Sequence, residues 1–114
     1  MDKSHLEMSQ LIYASEKFSR AVYLLAVGPG EVRPRLREAF DEFHPVQSSL
    51  LPEDIKKEYD WIFEQLTKRE RRFPSDGRLD ATLHRMRNST GVKIAKRIVE
   101  LKWRLDELLE SMST

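Results

Sequence analysis

The feature that most constrains the fold is a regular hydrophobic seam near the end of the chain. Its residues recur at alternating intervals of four and three, and they are Ile94, Ile98, Leu101, Leu105, Leu108 and Met112. This spacing matches the a and d positions of a heptad and places one apolar stripe along an α-helix. Such a stripe has to be buried against another element. The sequence therefore predicts a long C-terminal helix that packs against other helices.

Similar spacing continues upstream of this seam. The upstream positions are Leu79, Leu83, Met86 and Thr90. They join the seam through one additional interval of four, and such a stutter relaxes a supercoil without ending the helix. We therefore predict one continuous helix over residues 78–111, the longest element of the chain. The alternative is a break at residues 88–91, because Asn88 and Ser89 are good N-caps and Gly91 weakens a helix interior.

Three earlier segments also have helical periodicity. In the first, which ends at Gly28-Pro29-Gly30, the apolar stripe consists of Leu11, Ala14, Phe18, Ala21 and Leu25. In the second, over about residues 31–44, it consists of Val32, Leu36, Phe40 and Phe43. In the third, which begins near Pro52 and ends in a basic run, it consists of Ile55, Tyr59, Ile62 and Leu66. Glycine and proline at the ends of these segments are typical helix boundaries.

The fold class follows from the number of helical segments and the length of the loops. Short connections make consecutive helices antiparallel neighbours. No segment alternates with the period of two that is typical of strands. With 114 residues the chain has the size of one domain. We predict an all-α, up-and-down helical bundle of four or five helices with a long C-terminal helix, and residues 1–114 forming a single domain.

Composition restricts the chemistry and the location. The chain has no cysteine, which excludes disulfides, a thiolate nucleophile and cysteine metal sites. The first residues lack the pattern of a signal peptide, and no apolar run approaches the roughly 18 residues of a membrane span. We therefore expect a cytoplasmic protein with no membrane partner.

Charge is unevenly distributed along the chain. Residues 1–67 contain 8 lysines and arginines against 12 aspartates and glutamates, and residues 68–104 contain 12 against 4. Residues 105–114 contain 3 acidic residues and no basic one. A basic segment of this kind either attracts an anionic partner or is neutralised by its own chain. We expect neutralisation by the acidic third segment, through Glu53, Asp54, Glu58, Asp60 and Glu64.

The alternative is that the basic segment binds an anionic partner. The candidate residues for anion or partner binding are Arg69, Arg71, Arg72, Arg85, Arg87, Asn88, Lys93, Lys96 and Trp103. Lysine and arginine contact phosphates, and a tryptophan ring can stack on a base. In this alternative the chain is a nucleic-acid-binding protein that uses residues 68–104. A sequence pI of about 8.0 is below the value above 9 that is typical of a dedicated nucleic-acid domain.

No catalytic, cofactor or metal site is predicted. The histidines His5, His44 and His84 are scattered, and the paired Glu-x-x-His motifs of carboxylate-bridged metal sites are absent. Arg87-Asn88 resembles the start of the motif of small helical nucleases of the HEPN class, but the histidine of that motif is missing. A hydrolase would need a pocket shared by His84, Arg87 and Asn88. We therefore expect a non-enzymatic protein-interaction or regulatory module.

The partner is expected to be another protein or a second copy of the chain. Arg97, Lys102 and Arg104 flank the hydrophobic seam, and they would bring like charges together in either a parallel or an antiparallel self-paired coil. We therefore expect the seam to be used inside the monomer. A homodimer would have to use a face other than residues 94–112.

Overall fold

The computed structural model describes residues 3–71 and 77–113 of the chain. In these residues it contains no strand, five α-helices and one 3₁₀ turn at Ser48–Leu50. The helices are α1 (Lys3–Val27), α2 (Val32–Phe43), α3 (Glu53–Thr67), α4 (Arg78–Arg85) and α5 (Asn88–Met112). The predicted all-α bundle is confirmed. Across the described ranges, no helix has both the length and the apolar character that a bilayer span requires.

The helices pack around one core. Helix α5 contacts α1, α2 and α3, and the short helix α4 lies against α2 and α3. All residues of the three predicted stripes in α1, α2 and α3 are buried. In the C-terminal seam the first four residues are buried, and Leu108 and Met112 pack partly against the core. The seam is therefore used within the chain, as predicted from its flanking charges.

Helices α3 and α5 are antiparallel. The guanidinium of Arg104 lies 2.9 Å from the Asp54 carboxylate near the start of α3. That of Arg97, two turns earlier in α5, lies 3.1 Å from the Glu58 carboxylate. Arg97 also lies over the Trp61 ring, 5.1 Å from its centroid. The end of α3 and the start of α5 therefore lie at the same end of the bundle.

Aromatic residues fill the centre of the core. The rings of Phe18 and Phe43 stack with centroids 4.9 Å apart, and Tyr59 meets Phe18 edge to face at 5.9 Å. The Tyr59 hydroxyl donates a hydrogen bond of 2.7 Å to the carbonyl oxygen of Val46, in the loop after α2. Burial raises the pKa of Tyr59 well above its usual value. The hydroxyl therefore stays neutral, and its hydrogen bond to Val46 attaches the loop between α2 and α3 to the core.

The predicted continuous helix over residues 78–111 is wrong. Helix α4 ends at Arg85 and α5 begins at Asn88, and Met86 and Arg87 between them have extended backbones, with ψ of 137° and 147°. The break at Met86 and Arg87 lies just before residues 88–91, where the alternative prediction placed it. The Met86 side chain is buried, and its carbonyl oxygen accepts a hydrogen bond of 3.2 Å from Arg33 on α2. This tertiary contact replaces the helical hydrogen bond of that carbonyl. Helix α5 thus has 25 residues, the same length as α1.

A close contact seats the first turn of α5 on α2. A Cβ atom at Gly91 would lie only 2.7 Å from Cγ1 of Val32. Glycine is therefore needed for the close approach of the α5 backbone to the Val32 side chain. Gly91 weakens a helix interior by its residue type, but here its lack of a side chain lets α5 lie close to α2.

Candidate anion-binding cleft

The basic segment divides into two groups in the structure. The first, which we call the paired group, consists of Arg97, Lys102 and Arg104 on α5. Arg97 and Arg104 contact carboxylates of α3, and the Arg104 guanidinium also lies 3.8 Å from Glu58. Lys102 pairs with Asp106 on its own helix. For Arg97 and Arg104 the predicted neutralisation by the third segment is confirmed, through Asp54 and Glu58, whereas Lys102 is neutralised from its own helix.

Asp60 of α3 does not contribute to that neutralisation. Its carboxylate accepts a hydrogen bond of 2.5 Å from the Ser48 hydroxyl and one of 2.9 Å from the Lys56 ammonium. These bonds, that of Ser48 above all, lower the pKa of Asp60 below its ordinary value. The predicted role of Asp60 as a counter-charge for the basic segment is therefore wrong, because its carboxylate is already occupied on the other side of α3.

The second group of cations converges on a cleft. This cavity of about 180 Å³ lies between the end of α3, the helix α4 and the start of α5. Its lining consists of Lys68, Arg69, Thr82, Arg85, Met86, Arg87 and Thr90. We call it the cationic cleft. Among the lining residues that the structure describes, four are basic and none is acidic, so their charges are not neutralised within this part of the lining.

The cations of the cleft have no carboxylate partners among residues 3–71 and 77–113. Arg69, Arg85 and Arg87 are in no ion pair there, and the Lys68 ammonium donates a hydrogen bond of 3.1 Å to the neutral Gln65. Glu70 follows Arg69 in the chain, but its carboxylate lies 3.5 Å from the Arg78 guanidinium. All four cations of the cleft are exposed.

A buried threonine holds the walls of the cleft together. Thr82, on α4, is only 2% exposed. Its hydroxyl accepts a hydrogen bond of 3.0 Å from the backbone N–H of Arg69 and donates one of 2.7 Å to the Arg78 carbonyl oxygen. The chain after α3 is thereby attached to α4, which brings Lys68 and Arg69 to the same cleft as Arg85.

The start of α5 adds positive potential to the cleft. Its N-cap residue is Arg87, which makes no side-chain hydrogen bond to the helix end. The first N–H groups of a helix have no partner within the helix, and the helix dipole is positive there. Thr90, in the first turn, lines the cleft. The helix end therefore reinforces the charge of the neighbouring side chains.

The structure brings only some of the predicted candidate residues together. Arg69, Arg85 and Arg87 line the cleft, and Asn88 lies exposed in the adjoining first turn of α5. Four candidates are exposed and do not line the cleft, namely Arg71, Lys93, Lys96 and Trp103. Arg72 lies outside the described residues. Helical geometry places Lys96 and Trp103 on the side of α5 opposite its buried seam.

Four lining residues were absent from the predicted set, namely Lys68, Thr82, Met86 and Thr90. Lys68 belongs to the same basic run as Arg69, so its charge was a usable signal. No comparable signal marks Thr82 and Thr90, because a threonine in a helical pattern does not indicate which distant backbone group it will contact. The link from Thr82 to Arg69 spans 13 positions of the chain and depends on the packing of α4 against α3.

The pocket that a hydrolase would require is not formed by the predicted residues. His84 lines a separate cleft between α2 and α4, where Arg37 pairs with Asp80 and Arg33 with Glu31. Arg87 lines the cationic cleft instead. Among the residues that the structure describes, no group of three or more histidines and carboxylates is placed to hold a metal ion.

Comparison of the chain with protein-family models, with curated proteins and with solved structures gives no match.

Proposed function

We propose that this chain is a small, non-enzymatic protein-interaction module of the cytoplasm, which docks an acidic segment of a partner protein in the cationic cleft. The observation that carries the proposal is the convergence of Lys68, Arg69, Arg85 and Arg87 on one cleft, where the described lining residues include no carboxylate. A partner carboxylate would supply the missing counter-charge.

The energetics favour the cleft over the paired group as the docking surface. An anion in the cleft can form several charge-assisted hydrogen bonds, each contributing about 1.5–3 kcal/mol. At the paired group an anion would have to compete with Asp54 and Glu58, which already contact Arg104 and Arg97. Converging charges also steer an oppositely charged partner and raise its association rate.

Nucleic-acid binding is the second candidate, and the exposed cations outside the cleft favour it. Lys93, Lys96 and Trp103 continue along α5 and offer phosphate contacts and a ring for stacking. Non-specific binding of a strand, however, uses an extended run of cations along the backbone. Ion pairs of Arg97, Lys102 and Arg104 interrupt such a run. The compact cleft therefore supports a protein partner better.

The test compares two pairs of exposed basic residues on the same chain. Arg85→Gln with Arg87→Gln removes two charges from the cleft, and Lys93→Gln with Lys96→Gln removes two charges outside it. The probes are a fluorescent decaglutamate peptide and a 20-nucleotide single-stranded RNA, and the readout is anisotropy at several salt concentrations.

We expect the cleft variant to lose at least about tenfold in affinity for decaglutamate, which corresponds to the loss of one charge-assisted hydrogen bond. The control variant should stay within about twofold, which is less than 0.5 kcal/mol. Equal losses in both variants would show non-specific charge attraction and overturn the proposal. RNA binding tighter than decaglutamate binding, with the larger loss in the Lys93 and Lys96 variant, would support the second candidate instead.

A further inference from the structure

The charge of the cationic cleft exceeds what a single carboxylate can neutralise. Lys68, Arg69, Arg85 and Arg87 bring four positive charges to the cavity. A carboxylate carries one negative charge, whereas a phosphate monoester carries about −1.5 to −2 at pH 7 and has three strong acceptor oxygens. Resting on the proposed function, we propose that the cleft recognises a phosphate monoester borne by a peptide segment of the partner protein.

The side chains of the cleft have the donor chemistry that a phosphate group requires. Three of the four cations are arginines, whose planar forks bind phosphate through paired hydrogen bonds, and Lys68 adds a point charge. The lining also includes Thr90, whose hydroxyl can donate a further hydrogen bond. These donors come from the ends of three helices, so they approach the cavity from different directions. A tetrahedral group with several oxygens can use such an arrangement more fully than a planar carboxylate.

The size of the cleft favours a group on a larger chain over a free small molecule. Its volume of about 180 Å³ is below the roughly 300–1,000 Å³ of cavities that enclose whole ligands. A phosphate group and the side-chain atoms that carry it fit this space, while the rest of the ligand lies outside. A peptide segment that crosses the bundle end satisfies this geometry.

The charge distribution disfavours the phosphodiesters of a nucleic acid as the ligand. Each diester carries a single charge and is followed by others along the strand, so binding energy depends on a run of separate contacts. The cleft concentrates its cations at one point instead. Along α5 the next cations after the cleft are Lys93 and Lys96, and the run then reaches Arg97, which is engaged by Glu58. One doubly charged group therefore matches the available cations better than a row of singly charged ones.

The experiment uses the full chain and three peptides that differ at one position. The sequences are acetyl-Gly-Gly-Xaa-Gly-Gly-amide with phosphoserine, glutamate or serine as Xaa, and inorganic phosphate and a 20-nucleotide RNA are further probes. Binding is followed by amide chemical shifts of the ¹⁵N-labelled protein, with attention to Asn88, Ser89 and Thr90. Circular dichroism checks that each variant stays folded.

We expect the phosphoserine peptide to bind at least about tenfold more tightly than the glutamate peptide, and the serine peptide to show no binding, because one additional charge-assisted hydrogen bond supplies that factor. Affinity for the phosphoserine peptide should fall between pH 7.5 and 5, since the second phosphate pKa is about 6 and protonation removes one charge. Over the same range the glutamate peptide should change little. Arg85→Gln with Arg87→Gln should abolish this preference, and Lys93→Gln with Lys96→Gln should keep it.

The outcomes separate this inference from the proposed function. Equal affinity for the phosphoserine and glutamate peptides would overturn the inference and leave the acidic-partner proposal standing. Binding of neither peptide, nor of decaglutamate, would overturn both. Inorganic phosphate binding as tightly as the phosphoserine peptide would overturn the assignment to a peptide-borne group, and tighter binding of RNA would overturn the choice of a monoester.

Discussion

Arg97 and Arg104 lie on α5 opposite the carboxylates of α3. Arg85 and Arg87 lie at the other end of the same basic segment, beside a cleft in which no residue of the described lining is acidic. The residue type is the same in both places and all four side chains reach the surface. The difference lies in the charge of the neighbouring residues, because α3 presents the carboxylates of Asp54 and Glu58 only to one end of the segment. Arginine at one end of the segment therefore links two helices, and at the other end it has no carboxylate partner within residues 3–71 and 77–113.

The antiparallel packing of α3 and α5 creates this contrast. The first half of α3 carries Glu53, Asp54 and Glu58, and it faces the second half of α5. The end of α3 continues into Lys68 and Arg69, which face the first turn of α5. At one end of the helix pair the acidic residues of α3 therefore face basic residues of α5, and at the other end basic residues lie beside one another.

Truncating a buried side chain in the seam of α5 should destabilise both ends of the α3–α5 pair, because both depend on the same core. Leu101 is 1% exposed in the seam of α5. Leu101→Ala should lower the free energy of unfolding by about 2–5 kcal/mol, because it leaves a cavity in the core. Urea denaturation followed by circular dichroism measures this value.

Leu108→Ala serves as a control for that measurement. Leu108 belongs to the same seam but is only half-buried, so its truncation should cost less. A near-neutral result for Leu101→Ala would mean that the seam does not support α5.

Breaking the hydrogen bonds of Thr82 should open the cleft and leave the paired group intact. Thr82→Val removes the acceptor of the Arg69 N–H and should cost about 1–3 kcal/mol. Amide hydrogen exchange at Arg69 should accelerate, while exchange in the middle of α5 should change only through the lower global stability. Thr82→Ser keeps a hydroxyl and is the control. Unchanged exchange at Arg69 in the valine variant would contradict the role of Thr82 in building the cleft.

The smallest effects are expected for single arginine substitutions, one in the paired group and one in the cationic cleft. Arg104→Ala removes contacts with Asp54 and Glu58 and should cost about 0.2–1 kcal/mol, less at high salt. Arg85→Ala should be neutral or slightly stabilising, because it removes a like charge from the cleft. Denaturation at two salt concentrations measures both variants. A salt-sensitive loss in Arg85→Ala as large as that in Arg104→Ala would show that Arg85 has an internal partner.

The parts of the fold that could be predicted are those in which local spacing and burial agree. Leu11, Phe18 and Leu25 lie on one face of any helix that contains them, and the same holds for Ile94, Ile98 and Leu101. The break at Met86 could not be predicted in this way, because Met86 continues the apolar spacing on either side. A side chain of α2, Arg33, stabilises the extended backbone there by donating to the Met86 carbonyl oxygen.

The sequence by itself determined the helical periodicity, the buried faces and the position of the basic segment along the chain. The tertiary structure decided which of its cations are neutralised. Arg97 and Glu58 are 39 positions apart in the chain, and Arg104 and Asp54 are 50 apart. The physical reason is that charge interactions depend on distances of a few ångströms and fall off quickly in salt. Only the antiparallel packing of α3 and α5 sets those distances, and it leaves Lys68, Arg69, Arg85 and Arg87 together at the other end.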